Sequence, residues 1–308
     1  MEKIYDMIIV GGGPGGYTAA LYAARAGLQA AVLEKLSAGG QMCLTHQIDN
    51  YPGFPEGIDG FTLGMQMQQQ AERFGAETRF AEVYSMDLAA EPKVLETSEG
   101  AFKAKTVVIS TGADPKKLGI DGEKELTGMG VSYCASCDGM FYRGKTVVIV
   151  GGGDSAVAEA LVLSRIAEKV IIVHRRDTLR AAKVYHEPLM QMPNIEFRWN
   201  SKIKEFISDK LAGVTGILLE DTVTGEVSEL ACDGVFVSVG RKPVTEFIGG
   251  QIALDENGYI IAGESTETNI SGVYAVGDVR TKSLRQVVTA VADGAMAVHA
   301  AEDYLLDK

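Results

Sequence analysis

Two glycine-rich turns, each between an apolar strand and an alanine-rich helix, constrain the fold of this 308-residue chain more than any other feature. The first is GGGPGG at residues 11–16, directly after the apolar run MIIV, and the second is GGGDSA at residues 151–156, directly after TVVIV. A further apolar strand follows each helix and ends near Glu34 and Val173 respectively. Continuously apolar strands are typical of parallel sheets covered on both faces. The pattern therefore predicts two βαβ units of the doubly wound kind.

The first turn has the spacing of a dinucleotide-binding site. Gly11, Gly13 and Gly16 would let the backbone approach a pyrophosphate, whose charge the helix N-terminus favours. Glu34 lies 23 residues after Gly11, at the end of the second strand. A carboxylate at that position accepts hydrogen bonds from ribose hydroxyls and repels a 2′-phosphate. We predict that this unit binds an unphosphorylated adenine dinucleotide, either FAD or NAD.

The second turn repeats this spacing with Gly151, Gly153 and Ala156, but its second strand is followed by HRRDTLR and by no acidic residue at the strand end. The basic side chains of that segment belong to Arg175, Arg176 and Arg180. They form a local basic cluster in a chain of net charge -12. Guanidinium groups match phosphate oxygens through paired, charge-assisted hydrogen bonds. The second unit is predicted to bind NADP in preference to NAD.

A CxxC pair, Cys134 and Cys137, lies in the segment CASCDG. This spacing serves either a redox disulfide or half of a zinc site. The remaining candidate zinc ligands are scattered through the chain: Cys43, Cys232, His46, His174, His186 and His299. Because zinc needs four ligands, we interpret the pair as redox-active and predict no metal. Asp138 follows directly and can donate or accept the proton that thiol chemistry requires.

Composition limits the partners and the location of the protein. The net charge of -12 disfavours nucleic acid and anionic membrane surfaces, because the long-range field repels phosphate. No apolar run approaches the ~18 residues that a membrane helix needs. Four cysteines are too few for a secreted disulfide scaffold. We expect a cytoplasmic protein without a nucleic-acid or membrane partner.

Two proline-bearing segments mark candidate domain boundaries, STGADP ending at 115 and GRKP ending at 243. The strand VYAV and the long alanine-rich helix after Gly272 are expected to return to the first domain. We therefore predict one domain formed by residues 1–114 and 244–308, with a second domain of residues 115–243 inserted into it.

The combination of two dinucleotide sites with a CxxC pair indicates electron transfer. A nicotinamide delivers two electrons as a hydride, a disulfide accepts two, and a flavin is the usual adaptor between them. Over essentially its whole length the chain resembles the low-molecular-weight, bacterial-type thioredoxin reductases. Besides the two glycine turns, the motifs that carry this resemblance are GGQ at 39–41, STGA at 110–113, CASCDG at 134–139, HRRDTLR at 174–180, GD at 277–278 and RQ at 285–286.

The resemblance implies an α/β protein of two Rossmann-like, three-layer ββα domains, the NADPH domain being inserted into the FAD domain. The FAD site would include the strand-end pair Glu34 and Lys35. Its other residues, beginning with those of the glycine turn, would be Gly11, Gly13, Pro14, Gly16, Gly39, Gly40, Gln41, Asn50, Thr111, Gly112, Ala113, Gly277, Asp278, Arg285 and Gln286. The NADPH site would comprise Gly151, Gly153, Asp154, Ser155, Ala156, Arg175, Arg176 and Arg180.

The family's activity is NADPH-dependent reduction of thioredoxin by a homodimer whose NADPH domain rotates on its two linkers. The resemblance implies that Cys134 and Cys137 are the reducible pair and that Asp138 is the proton donor. The pair reads CASC where many relatives have CATC, a change that keeps the hydroxyl. The role of Glu34 and Lys35 rests on the strand-end position, since family members differ there.

Four alternatives share part of this pattern. The flavoprotein subunit of alkyl hydroperoxide reductase carries an additional thioredoxin-like domain, for which we expect no room in 308 residues. Ferredoxin and flavodoxin reductases lack the CxxC pair. Glutathione-reductase-like proteins have a more widely spaced pair near the first glycine motif, where only Cys43 lies here. A redox sensor that binds FAD and NADP would be reduced once, whereas an enzyme would turn over with thioredoxin or a glutaredoxin-like protein.

Overall fold

The structure is a computed structural model that describes residues 3–35, 37–45, 47–209 and 211–307. The chain divides into two compact units. Unit 1 comprises the residues up to Asp114 and those from Lys242 onward, and unit 2 comprises Pro115–Arg241. The second junction therefore lies after Arg241, whereas the sequence placed it after Pro243. The two assignments differ by two residues because this crossing falls within the short strand Arg241–Pro243, which pairs with Ala113–Pro115 at the other crossing.

Strands and helices are numbered along the whole chain. The strands of unit 1 are β1 (Ile4–Val10), β2 (Ala30–Glu34), β3 (Glu77–Phe80), β4 (Val83–Asp87), β5 (Lys93–Thr97), β6 (Gly100–Ile109) and β17 (Val273–Ala275), and its helices are α1 (Pro14–Arg25), α2 (Gly60–Arg73) and α6 (Val287–Leu306). The strands of unit 2 are β8 (Val131–Ser132), β9 (Thr146–Val150), β10 (Lys169–Val173), β11 (Ile195–Arg198), β12 (Ser201–Asp209), β13 (Gly213–Asp221), β14 (Val227–Ala231) and β15 (Gly234–Val237). Its helices are α3 (Ala135–Asp138), α4 (Asp154–Leu163) and α5 (His186–Met190), and the two crossings fall within the short strands β7 (Ala113–Pro115) and β16 (Arg241–Pro243).

Unit 1 is built on a parallel sheet in the order β3-β2-β1-β6-β17, and β4 and β5 add an antiparallel meander to β6. Residues along β1 alternate between two cores: Ile8 and Val10 face the meander, whereas Met7 and Ile9 face the helices. The helical layer is tightly packed, because a side chain at Gly294 of α6 would collide with the carbonyl oxygen of Gly15. As predicted, the chain after residue 272 returns to this sheet.

Unit 2 has the same design. Five parallel strands in the order β11-β10-β9-β15-β8 form its sheet, and the antiparallel sheet β12-β13-β14 covers one face. Val148 and Val150 pack against that antiparallel sheet, while Val147 and Ile149 pack on the other face with α4. The three-layer ββα architecture predicted from the sequence is therefore confirmed for both units. Within the described residues, no helix is long and apolar enough to cross a membrane.

Candidate active site

The first glycine turn leaves an open, positively polarised surface at the N-terminus of α1. Gly11 has φ +99°, and a Cβ there would lie 2.5 Å from the carbonyl oxygen of Ser110. Gly13 is the N-cap of α1 and, as a glycine, has no side chain with which to cap the helix. A Cβ on Gly13 would meet nothing within 4 Å. Backbone N–H groups at a helix N-terminus next to open space are what a pyrophosphate requires, so this turn fits a dinucleotide.

Glu34 reaches this turn from the end of β2. Its carboxylate Oε2 accepts a hydrogen bond from the backbone N–H of Gly12 at 2.6 Å. A Cβ on Gly12 would lie 2.8 Å from the same oxygen, so glycine is needed for this approach. The carboxylate is thus held beside the glycine turn, where a ribose hydroxyl can donate to it. The neighbouring Lys35 instead forms an ion pair with Glu82 at 2.6 Å.

We expect Glu34→Ala to weaken FAD retention by about ten- to a hundredfold, the effect of losing one or two hydrogen bonds to a charged group. Equilibrium dialysis of FAD against the apoprotein would measure it. Glu96→Ala, which removes an equal charge from an exposed position on β5, is the matched control. Undiminished retention by Glu34→Ala would show that the carboxylate does not contact the cofactor.

The other residues implied to line FAD are joined to one another within unit 1. The backbone N–H of Gly39 donates to the carbonyl of Gly12 at 2.7 Å, which places the 39–41 turn against the glycine turn. Gln41 Nε2 donates to the carbonyl of Ala113 at 2.9 Å. Three further contacts connect the rest: Asn50 Nδ2 with Gln286 Oε1 at 3.0 Å, Thr111 Oγ1 with the carbonyl of Val244 at 2.7 Å, and Arg285 Nε with the carbonyl of Asp278 at 3.5 Å. These contacts therefore bring together, pair by pair, segments of unit 1 that are far apart in sequence.

A buried ion cluster that the sequence analysis did not identify supports this lining. The carboxylate of Asp293, in α6, accepts hydrogen bonds from Arg280 Nη2 at 2.6 Å, from Lys282 Nζ at 2.7 Å and from the backbone N–H of Gly277 at 2.8 Å. The side chains of Arg280, Lys282 and Asp293 are at most 10% exposed. Asp293 therefore fixes the start of the 277–278 turn. An acidic residue within an apolar helix was the only sequence signal for it.

The second glycine turn reproduces the first. A Cβ on Gly151 would collide with the carbonyl oxygen of Ser238, whereas one on Gly153 would meet nothing within 4 Å. Gly153 is the N-cap of α4, again without a side-chain cap. Ser155 is exposed in the first turn of the helix, and Asp154 Oδ1 accepts a hydrogen bond from the backbone N–H of Ala182 at 2.8 Å. This turn also fits a pyrophosphate.

His174 occupies in unit 2 the position of Glu34 in unit 1. A Cβ on Gly152 would collide with its imidazole ring, just as one on Gly12 would meet Glu34. Burial and the positive charge of Arg180 lower the pKa of His174, with smaller contributions from Arg175 and Arg176. Unlike the carboxylate of Glu34, the imidazole carries no negative charge and does not repel a 2′-phosphate.

The three arginines of HRRDTLR surround this position. All three are exposed, and no carboxylate in the described part of the chain forms an ion pair with them. The backbone N–H of Arg180 donates to the carbonyl of Gly152 at 2.7 Å, which joins the arginine segment to the glycine turn. Three exposed guanidinium groups beside a glycine turn fit the additional phosphate of NADPH.

A buried carboxyl group, also missed at the sequence level, lies behind this turn. Glu159 of α4 contacts Ser238, whose carbonyl oxygen packs against Gly151. Burial raises the pKa of Glu159 to about 7, although the charge of Arg241 opposes the shift. Glu159 therefore carries only part of a negative charge near neutral pH.

The CxxC pair forms a disulfide in unit 2, with the Cα atoms of Cys134 and Cys137 5.3 Å apart. Both cysteines are partly exposed, at the start of the short helix α3. Asp138 ends this helix, and its backbone N–H donates to the carbonyl of Cys134 at 3.1 Å. The carboxylate of Asp138 accepts a hydrogen bond from Ser132 Oγ at 2.7 Å. The predicted proton donor and the two cysteines thus share one short segment.

The remaining cysteines lie outside this segment. Cys43 and Cys232 are unpaired thiols, and burial, followed by the charge of Asp233, raises the pKa of Cys232 to about 12. Among the described residues no group of three or more His, Cys, Asp or Glu side chains is arranged to hold a metal. His46, one of the scattered candidates, lies outside the described residues.

Two dinucleotide-binding turns and a redox disulfide define the class of protein, and comparison with known proteins agrees. Residues 5–294 match the family model of the pyridine nucleotide-disulphide oxidoreductases. The chain is 45% identical to the thioredoxin reductase of Bacillus subtilis, covering 99% of this chain and 96% of that protein. It is also 45% identical to that of Treponema pallidum, with 99% and 98% covered. The crystal structure of thioredoxin reductase from Streptococcus pyogenes superimposes with a TM-score of 0.93 at 42% identity, covering both chains completely.

The chain therefore belongs to the thioredoxin reductases of the pyridine nucleotide-disulphide oxidoreductase family. It is an NADPH-dependent flavoprotein disulfide oxidoreductase with FAD and NADPH as cofactors.

Proposed function

We propose that this protein reduces the disulfide of thioredoxin with electrons from NADPH, through FAD and the Cys134–Cys137 disulfide. In this proposal unit 1 holds FAD, and unit 2 holds NADPH and the redox pair. The observation that carries the proposal is the disulfide itself. It is partly exposed and lies in the same unit as a dinucleotide turn with a phosphate-matching arginine cluster.

The residues of the chain have distinct tasks in this reaction. The glycine turns and helix N-termini bind the pyrophosphates, Glu34 orients a ribose, and the three arginines select the 2′-phosphate. FAD, when bound, supplies the ability to accept two electrons from NADPH and to pass them on. When the S–S bond accepts an electron pair, both sulfurs become thiolates, and one of them takes up a proton, for which Asp138 is the adjacent donor.

The dithiol then acts on the partner by thiol–disulfide exchange. One thiolate attacks a sulfur of the thioredoxin disulfide and forms a mixed disulfide, and the released sulfur of thioredoxin takes a proton. The second thiol gives up its proton and attacks the mixed disulfide, and the displaced second sulfur of thioredoxin takes up that proton. Thioredoxin leaves as a dithiol, and the Cys134–Cys137 disulfide is restored.

NADPH oxidation by the FAD-loaded protein, followed by absorbance with and without thioredoxin, tests the proposal. We expect many turnovers that require thioredoxin. A single reduction of the protein that then stops, whatever the amount of thioredoxin, would contradict the proposal and favour a sensor.

The resemblance also supports a homodimer in the cytoplasm. In unit 1 several large apolar side chains are exposed on helices α1, α2 and α6: Tyr22, Phe61, Val288 and Met296. A surface of this kind suits a second copy of the chain. The structure has two free thiols, and its disulfide joins cysteines only three residues apart in sequence. Such cysteine usage suits a reducing compartment. Sedimentation equilibrium of the FAD-loaded protein would test the oligomeric state.

Replacing the arginine cluster should change cofactor preference. In Arg175→Ala, Arg176→Ala and Arg180→Ala, we expect KM for NADPH to rise by about tenfold or more per arginine, because each loses a charge-assisted hydrogen bond. KM for NADH should change little. Steady-state kinetics with both nucleotides provides the measurement. Arg165→Ala, an exposed arginine beyond the far end of α4, is the control, and equal effects on both nucleotides would refute the assignment.

A further inference from the structure

Ser132 lies directly beneath the redox segment. It is the last residue of strand β8, where it pairs in register with Phe236 of β15, and it is only 4% exposed. A buried serine at the end of a strand needs partners for its hydroxyl group. Both of its close partners belong to the segment that carries the disulfide.

The hydroxyl of Ser132 links the acid to the backbone of a cysteine. Its oxygen lies 2.7 Å from Oδ2 of Asp138 and 3.1 Å from the backbone nitrogen of Cys134. Because the amide can only donate, the hydroxyl accepts from Cys134 and gives its own hydrogen to the carboxylate. Two consecutive hydrogen bonds therefore connect the Cys134 amide, the Ser132 hydroxyl and the Asp138 carboxylate.

The surrounding structure keeps this segment in place. Tyr133, between Ser132 and Cys134, donates from its hydroxyl to Glu123 Oε1 at 2.8 Å, and its carbonyl accepts from Arg241 Nη2 at 3.3 Å. Glu123 is only 3% exposed and also accepts from the backbone N–H groups of Leu118 and Gly119, both at 2.9 Å. The backbone on which Ser132 acts is therefore held independently of its hydroxyl.

We propose that Ser132 is a positioning residue for proton transfer at the redox pair: its hydroxyl holds the Asp138 carboxyl in one orientation and favours its ionised form. A donor to a carboxylate stabilises the charged state. This lets Asp138 release its proton to the leaving thiolate and take one back from the thiol in the return step. The inference rests on the proposed function only in giving Asp138 that task.

The pH dependence of thiol reactivity tests this role without thioredoxin or cofactors. The protein is reduced with dithiothreitol, and the alkylation rate of Cys134 and Cys137 by iodoacetamide is measured from pH 4 to pH 9. In Ser132→Ala we expect the acid-side inflection of the rate–pH curve to move up by roughly one pH unit. A shift of this size corresponds to the loss of one hydrogen bond to a charged group. Ser132→Thr, which keeps the hydroxyl, should restore the profile. Burial and the charge of Asp138 raise the pKa of the neighbouring Tyr142 to about 12, so the tyrosine stays neutral throughout this range.

The control is Ser201→Ala, a second buried serine of unit 2, whose hydroxyl donates to the carbonyl of Trp199 at 2.7 Å. Its profile should coincide with that of the wild type. A Ser132→Ala profile that coincides with the wild type would overturn the proposal, as would rates lowered equally at every pH. If the alanine variant does not fold, Ser132→Gly also lacks the hydroxyl and must show the same shift. Failure of thioredoxin turnover in the wild type would refute the proposed function but would leave this measurement unaffected.

Discussion

Cys134→Ser and Cys137→Ser should each reduce thioredoxin-dependent NADPH oxidation to background, while FAD remains bound and reducible by NADPH. A single remaining thiol can form a mixed disulfide with thioredoxin but has no neighbour to release it. Anaerobic titration with NADPH gives a second measurement. The wild-type protein should take up two equivalents per chain, one for the flavin and one for the disulfide, and each variant should take up only one.

Cys232→Ala is the control for these variants, because Cys232 belongs to the same unit and is a buried, unpaired thiol. With its pKa raised to about 12 by burial and then by Asp233, Cys232 stays protonated and unreactive at neutral pH. Turnover should survive its replacement. Loss of FAD from either serine variant would instead assign the disulfide a structural role, and retained turnover would remove it from the reaction.

Local patterns were sufficient to predict the two sheets and their glycine turns. Continuous apolar strands followed by glycine turns predict parallel, doubly covered strands, and β1, β2, β9 and β10 have that form in the structure. These features depend on residues close together in sequence, where periodicity and turn chemistry decide the conformation.

The irregular parts of the sheets were less accessible to prediction. Residues 77–97, for example, contain the three separate strands β3, β4 and β5. The breaks follow from pairing: β3 extends the parallel sheet beside β2, whereas β4 and β5 form an antiparallel meander on β6. Which neighbour a strand joins is decided by tertiary packing, which short-range patterns do not specify.

The residues that support the sites escaped prediction for a similar reason. Ser132 acts on residues two and six positions along the chain, Asp293 acts on residues 11 to 16 positions away, and neither belongs to a recognisable motif. Sequence reasoning placed Glu34 and His174 at corresponding strand ends of the two units, but it could not show that His174 packs against Gly152. Motifs indicated where cofactors bind, while the contacts that hold those motifs in place required the structure.

Asp293→Asn should be the most destabilising single substitution in unit 1 that we propose. Asp293 neutralises one of two buried cations, so its removal leaves Arg280 and Lys282 without a counter-charge. Breaking a buried ion pair by removing one partner typically costs about 3–5 kcal/mol. We expect a fall of that order in the free energy of unfolding, measured by urea denaturation, together with loss of FAD because the 277–278 turn is released.

The pH dependence of stability gives an independent check. Although burial opposes it, hydrogen bonding from Arg280, Lys282 and Gly277 lowers the pKa of Asp293 below its usual value. A carboxyl group with a lowered folded-state pKa stabilises the fold above its unfolded pKa of about 4, and this contribution is lost as the pH falls through the folded value. Asp293→Asn should therefore lose less stability than the wild type when the pH is lowered from 5 to 3.

Two further variants separate the ion cluster from a general effect of charge. Asp303→Asn removes the same charge from an exposed position on the same helix and should change stability by no more than about 0.5 kcal/mol. Lys282→Met removes the second cation but leaves Arg280 paired with Asp293, so it should cost less than Asp293→Asn. Equal losses for Lys282→Met and Asp293→Asn, or normal FAD retention by Asp293→Asn, would show that the carboxylate does not organise the turn.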